Sequence, residues 1–254
     1  MAFNNDKNPR KPWFTWAFWI LSFIVINFIL SLLQLHYHIV SSNDQLVLQD
    51  ICEIGIIIAV LLINHFYTKE KFFFNHWNIF SHSLVIDIFF IFTFLELFTY
   101  FPYMHHVLMY GCLTILVGVA EEMTFRGLIL GSFLHNWKGK NPILAAILLS
   151  SLVFAITHSL NVFSQPLKNT LIQIIVAFSL GIILAIMYLK TGNLITPILF
   201  HTLTDFISMS VSNTTESQTG ITPALVTLLI ALIVLAIEIR AKSRQQIATE
   251  FNVK

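Results

Sequence analysis

Eight stretches of this chain are apolar for about the thickness of a lipid bilayer. They follow one another with almost no soluble sequence between them. The runs cover Trp13–Leu35, Leu46–Tyr67, Leu84–Phe101, Val107–Leu134, Pro142–Leu160, Leu171–Leu189, Leu194–Val211 and Pro223–Ile239. A helix needs roughly 20 such residues to cross a membrane. In lipid, the backbone must satisfy its own hydrogen bonds, so each run is expected to be a helix. Only 11% of the 254 residues are charged, against about 25% in a soluble domain. No polar stretch is long enough to fold alone. The expected fold is therefore all-α, a polytopic membrane helical bundle of about eight transmembrane helices, with residues 1–254 forming a single integral-membrane domain.

Eight crossings put both chain ends on one side of the membrane. Lys7, Arg10, Lys11, Lys69, Lys71, Lys138, Lys140, Lys190, Arg240, Lys242, Arg244 and Lys254 all fall on that side, and only Lys168 falls on the other. Basic loops stay in the cytoplasm, so both termini are expected there. Trp13, Trp16, Trp19, Trp77 and Trp137 cluster near the same helix ends and are expected to anchor at the interface. The first run lacks a small-residue cleavage site and is too long for a signal peptide, so it is a retained span. The net charge of +1 gives no reason to expect a nucleic-acid partner. Cys52 and Cys112 lie in apolar runs, where a free thiol packs as a small hydrophobe.

Against that background, Gly118-Val-Ala-Glu-Glu-Met-Thr-Phe-Arg-Gly127 stands out. It places Glu121, Glu122 and Arg126 inside the fourth span, where ionic groups usually mark a functional site or a buried pair. Glu122 and Arg126 are four residues apart, one helical turn, and can pair. Glu121 is rotated by about 100° from Glu122 and is left for chemistry or for another partner. Two further spans carry polar pairs at helical spacing: Phe154-Ala-Ile-Thr-His158 in the fifth, and His201-Thr-Leu-Thr-Asp205 in the seventh. A lone histidine in a membrane helix is most simply a helix–helix hydrogen-bond partner. Three matched sets cost least when gathered around one wet cavity.

Other polar residues have plainer explanations. Asp50 and Glu53 sit near the start of the second span and read as a solvated helix end. His36, His38, His105 and His106 belong at the outer interface, and His65, His76 and His82 at the inner one. Asp87 and Glu96 are second-rank candidates for the site. At about 1.5 Å per residue, Glu121 lies about 25 Å from Lys138 and His158 about 24 Å from Pro142. His201 lies only about 16 Å from Lys190, a mismatch that helix tilt or a buried loop before the seventh span would remove.

Glu beside His can activate a water, one group taking the proton while the other orients it. Attack on an amide makes an oxyanion that needs fixed donors. The same residues offer a second chemistry, Zn²⁺ held by Glu, His and His with one position open. The residues alone leave both open. No HExxH, GxSxG or Walker loop occurs.

The three motifs Glu121-Glu122-x-x-x-Arg126, Phe154-x-x-x-His158 and His201-x-x-x-Asp205, in this order on three spans, resemble those of the CPBP family. That family comprises CAAX prenyl proteases and bacteriocin-processing or immunity-associated proteins, also called Abi. The resemblance covers about residues 118–206. It implies a metal-free intramembrane glutamic endopeptidase acting on a membrane-associated peptide. It implies that Glu121 and His158 activate water, that Glu122 and Arg126 hold the first motif, and that His201 and residue 205 support the oxyanion. The third motif usually ends in Asn. Asp205 accepts hydrogen bonds and donates none while ionised, so it is expected to orient His201. A bacterial membrane and a role in bacteriocin processing or self-immunity are further implications. Two other functions stay open: a non-catalytic immunity protein that binds a membrane receptor, and a proton-coupled transporter, although no inverted repeat is visible. The sequence indicates no oligomeric state.

Overall fold

The computed structural model describes residues 11–39, 41–74 and 83–253. His76, Trp77, His82, Lys7, Arg10 and Lys254 lie outside the described residues, as does the segment before Lys11. Helix α1 spans Lys11–Tyr37, α2 Ser42–Ile63 and α3 Leu84–Tyr100. Helix α4 (Val107–Glu122) continues through a π-helical stretch, Met123–Leu130, into α5 (Gly131–Asn136). Helix α6 (Pro142–Thr157) ends in a 3₁₀ turn, His158–Phe163. Helices α7 (Leu167–Thr191), α8 (Ile195–Ser212), α9 (Ile221–Glu238) and α10 (Ala241–Glu250) complete the chain. Among the described residues there is no strand, only an isolated bridge between Phe74 and Asn193.

The protein is a polytopic helical membrane bundle. Among the described residues, seven helices are long and apolar enough to cross a bilayer, and α8 falls outside that set. Its two ends nevertheless sit on opposite faces. Leu194, just before α8, donates its backbone N–H to Phe73 in the loop after α2 (2.9 Å), whereas Ser210 near its end accepts from the backbone of His105 ahead of α4 (2.8 Å). Helix α8 therefore also traverses the bundle. Its polarity comes from the functional residues it carries, which is why hydropathy ranks it low.

The turn into α8 is buried: Thr191, Asn193, Leu194 and Thr196 are all at most 3% exposed. Gly192 makes the turn possible with φ 59°, a left-handed conformation open to glycine at a helix C-terminus. Despite the mismatch in residue counts, His201 of α8 reaches Glu121 of α4 at 3.5 Å.

Helix α7 is the most enclosed span and α1 the least. Helices α6 and α9 pack on α7, α2 and α8 pack on α4, and α3 lies at the edge against α8. The face that carries both described chain ends is closed by polar ties. Lys11 donates to the carbonyl of Thr68 (2.5 Å), and His135 bridges Glu70 (3.0 Å) and the Phe251 carbonyl (3.0 Å). The amphipathic α10 was not expected from the apolar pattern. It docks through Ile247 and through Phe251, whose ring meets Phe73 at 4.5 Å and Tyr188 at 5.4 Å. The tryptophans also divide. Trp13 and Trp137 are partly exposed near the interface, but Trp19 is buried against Phe125 (5.5 Å). Trp16 donates to Thr157 of α6 (3.1 Å).

Helix α4 meets α8 most closely at Gly118. A Cβ placed there would lie 2.5 Å from Thr202 Oγ1 and 3.3 Å from the Ile198 carbonyl. At Gly111 it would meet only Phe206, at 3.8 Å. Alanine gains roughly 1 kcal/mol over glycine in helix propensity, whereas overpacking costs about 1–3 kcal/mol. Gly118→Ala is expected to lower the thermal unfolding temperature in detergent, and Gly111→Ala to hold or raise it. Thr202→Ala should partly rescue Gly118→Ala. Equal effects at the two glycines would contradict this close approach.

Candidate active site

The three polar sets of α4, α6 and α8 come together. Glu122 is fully buried and Arg126 is 1% exposed, and they pair through Glu122 Oε1 and Arg126 Nη1 at 2.7 Å. The same carboxylate oxygen faces His201 Nδ1 at 2.8 Å. His201 Nε2 points to two more carboxylates, Glu121 Oε2 at 3.5 Å and Asp205 Oδ2 at 3.4 Å. Glu122 thus sits between a guanidinium and an imidazole, and holds the ring that Asp205 was expected to orient. Asp205 stands at the other nitrogen. Both ring nitrogens of His201 therefore face carboxylate oxygens.

Glu121 and Glu122 differ as their helical offset requires. Glu122 is consumed by structure, whereas the Glu121 side chain is 17% exposed and that of Asp205 26%. Glu121 is within electrostatic reach of His158 as well as of His201 and Asp205. His158 closes α6, and its Nδ1 meets the Phe154 carbonyl at 2.9 Å. A carbonyl can only accept, so Nδ1 carries the hydrogen, and in the neutral ring Nε2 keeps a free lone pair.

Phe154 is the apolar floor of the cluster. Arg126 Cζ lies 4.6 Å above its ring, a cation–π distance. The same ring meets His158 edge-on at 4.8 Å and His201 at 5.9 Å. The second motif therefore supplies a spacer as well as a histidine. The π-helical stretch begins directly after Glu122, and such segments recur at functional sites. Thr124 returns its hydroxyl to the Ala120 carbonyl at this change of pitch (2.7 Å). Phe72 packs over Gly127 within the same stretch.

The sequence reading missed Glu53. The apolar run suggests that Glu53 lies near a solvated helix end, yet it sits midway along α2 (Ser42–Ile63), half-buried and within electrostatic reach of Glu121. A carboxylate recurring at i and i+3 with Asp50 on an otherwise apolar helix was the available signal. Asp87 and Glu96 join no part of the cluster by any hydrogen bond or ion pair among the described residues. Glu96 faces outward from α3.

Both nitrogens of His201 are engaged by carboxylates, His158 Nδ1 by a carbonyl, and among the described residues no three His, Cys, Asp or Glu are grouped to hold a metal ion. The arrangement fits proton transfer and stabilisation of negative charge.

Residues 103–207 match the family model Rce1-like, described as Type II CAAX prenyl endopeptidase Rce1-like. The match takes in all six motif residues and agrees with the CPBP/CAAX-protease resemblance. At family level it supports a CAAX-type intramembrane endopeptidase. No curated protein and no solved structure matches the chain.

Removing one partner of a buried ion pair costs about 3–5 kcal/mol, because the other charge is left uncompensated. Arg126→Gln is expected to destabilise the folded protein by that order, measured by thermal or denaturant unfolding in detergent micelles. The double variant Glu122→Leu with Arg126→Met should recover most of the stability but not the geometry of His201. A single variant as stable as the native protein would argue against the buried pair.

Proposed function

We propose, from the CAAX-type endopeptidase family that residues 103–207 match, that this protein hydrolyses a peptide bond in a membrane-associated peptide without a metal ion. The observation that carries this reading is the unequal pair of adjacent carboxylates. Glu122 is locked by Arg126 and His201, while Glu121 remains partly exposed beside His158. Environments that separate two carboxyl groups in this way divide their roles.

In this mechanism a water lies between Glu121 and His158 Nε2. Glu121 takes one proton as the water oxygen attacks the amide carbon, and His158 orients the water by accepting its second hydrogen. The carbonyl oxygen becomes an oxyanion, and His201 Nε2–H turns towards it. Glu122 on Nδ1 holds the ring in place. Asp205 keeps the Nε2–H aimed at the reacting centre. The proton on Glu121 then passes to the amide nitrogen, the C–N bond breaks, and the acid's remaining proton passes through His158 to the amine, so that a carboxylate and an ammonium leave. Each step needs a fixed charge in a site of low dielectric, where preorganised donors act most strongly.

The resemblance adds a physiological setting, the processing of a bacteriocin or self-immunity to one, in a bacterial membrane with both termini cytoplasmic. Gene neighbours encoding small peptides with double-glycine leaders would support that setting. If Glu121→Ala and His158→Ala kept full protection in cells, immunity would rest on binding rather than on cleavage.

The direct test is cleavage of candidate membrane peptides by purified protein in detergent, with products mapped by mass. A positioned general base contributes about 10²–10⁴-fold. Glu121→Gln is therefore expected to lose about that factor in kcat with its melting temperature unchanged, and His158→Ala a comparable factor. Activity should survive a chelator. Native-like turnover by Glu121→Gln, or stoichiometric zinc lost together with activity, would overturn the mechanism.

A further inference from the structure

A cavity remote from the six polar residues opens where α1 begins and α5 ends. It measures about 260 Å³, with Trp13, Phe133, Asn136, Trp137 and Lys138 among its walls. The levels of these residues place it at the membrane interface. Trp13 is in the first turn of the first span, and Asn136 is the last residue of the fourth. Tryptophan favours this layer because one edge of the ring is apolar and the other polar.

The lining has a consistent chemistry. Trp13 and Phe133 meet edge-to-face at 5.3 Å and form a rigid aromatic wall. Trp13 and Trp137 remain 44% and 39% exposed, so the wall is not consumed by packing. Lys138 is exposed and forms no ion pair or hydrogen bond among the described residues. No Asp or Glu lines the cavity. Lys140 is exposed two residues further along, and Arg244 of α10 reaches the same turn through Asn141 Oδ1 at 3.1 Å. The backbone N–H groups of 138–140 donate to no described residue. Gly139, bare of a side chain, lies against the indole nitrogen of Trp137.

An unpaired cation, unused amide donors and a dry aromatic wall at the headgroup level suit a phosphate diester carrying an apolar tail. We propose that this cavity holds one anionic phospholipid from the leaflet on the face that carries both chain ends. Its phosphate sits on Lys138 and the amides of the turn. Its glycerol and first methylenes lie against Trp13 and Phe133. Basic pockets between membrane helices recognise acidic headgroups by this combination of charge and burial. The bound lipid ties the start of α1 to the turn between α5 and α6. It touches none of the residues given a role in hydrolysis, so the assignment stands independently of the endopeptidase reading.

The test uses the full-length protein in detergent with equimolar phosphatidylglycerol and phosphatidylcholine, and native mass spectrometry to count the retained lipid. The expected result is one phosphatidylglycerol retained in several-fold preference. One basic residue near an anionic surface is worth about fivefold in binding, so Lys138→Gln should lose roughly that factor. Trp13→Ala should weaken retention of both lipids. Lys242→Gln, on the same face but outside the cavity, should change nothing. Millimolar inorganic phosphate should not displace the lipid. Equal retention of the two lipids, an unaffected Lys138→Gln variant, an equal loss in Lys242→Gln, or displacement by phosphate would each overturn the proposal. Unchanged melting of the variants without added lipid shows that they are folded.

Discussion

Everything in the centre of this protein is arranged around one buried ionic node, Glu122 between Arg126 and His201. A carboxylate that is fully buried in a membrane bundle is stable only if its charge is met at once. Arg126 does so from one turn along the same helix (2.7 Å), and His201 does so from α8 (2.8 Å). The node fixes the distance between α4 and α8, and Gly118 permits that distance. It also fixes the rotation of α4, which leaves Glu121 turned towards His201 Nε2 and partly exposed. The pairing that stabilises the fold is therefore the same event that frees a second carboxylate for chemistry.

Phe154 extends this node to α6. Its ring sits under Arg126 and beside both histidines, so three helices converge on one aromatic plane. An aromatic ring tolerates a guanidinium on its face and imidazole edges at its rim. A large aliphatic residue there would fill the space but give no electrostatic support. A buried turn at Thr191–Thr196 leads into α8, whose His201 lies beside Glu121. Buried backbone in a membrane must find partners, and this turn does so through Phe73 and the side chain of Thr191.

Much of this was legible in the chain. The apolar runs match the observed helices to within a few residues, because bilayer thickness and the helical rise leave little freedom. The six motif residues stood out because ionic groups in apolar surroundings are costly. The structure brings five of them into direct polar contact and the sixth, His158, within electrostatic reach of Glu121. Glu53 was misjudged because depth along a helix says little about which neighbour it faces. Trp16 and Trp19 were assigned to the interface by composition, yet one donates to Thr157 and the other packs on Phe125. Helix α10 escaped notice because its apolar residues are few, and only docking against Phe73 and Tyr188 gives them a place.

By itself the sequence determined that this chain spans a membrane as helices and that Glu121, Glu122, Arg126, His158, His201 and Asp205 belong together. Both follow from the cost of exposing polar groups to lipid, which is local and additive along the chain. Only the tertiary structure decided which carboxylate is held and which is free, that Glu122 rather than Asp205 grips His201 Nδ1, and that Phe154 underlies them all. Those outcomes depend on the rotation and depth of helices far apart in sequence. Packing at Gly118 and at the buried turn before α8 sets both, and no periodicity within a single helix encodes them.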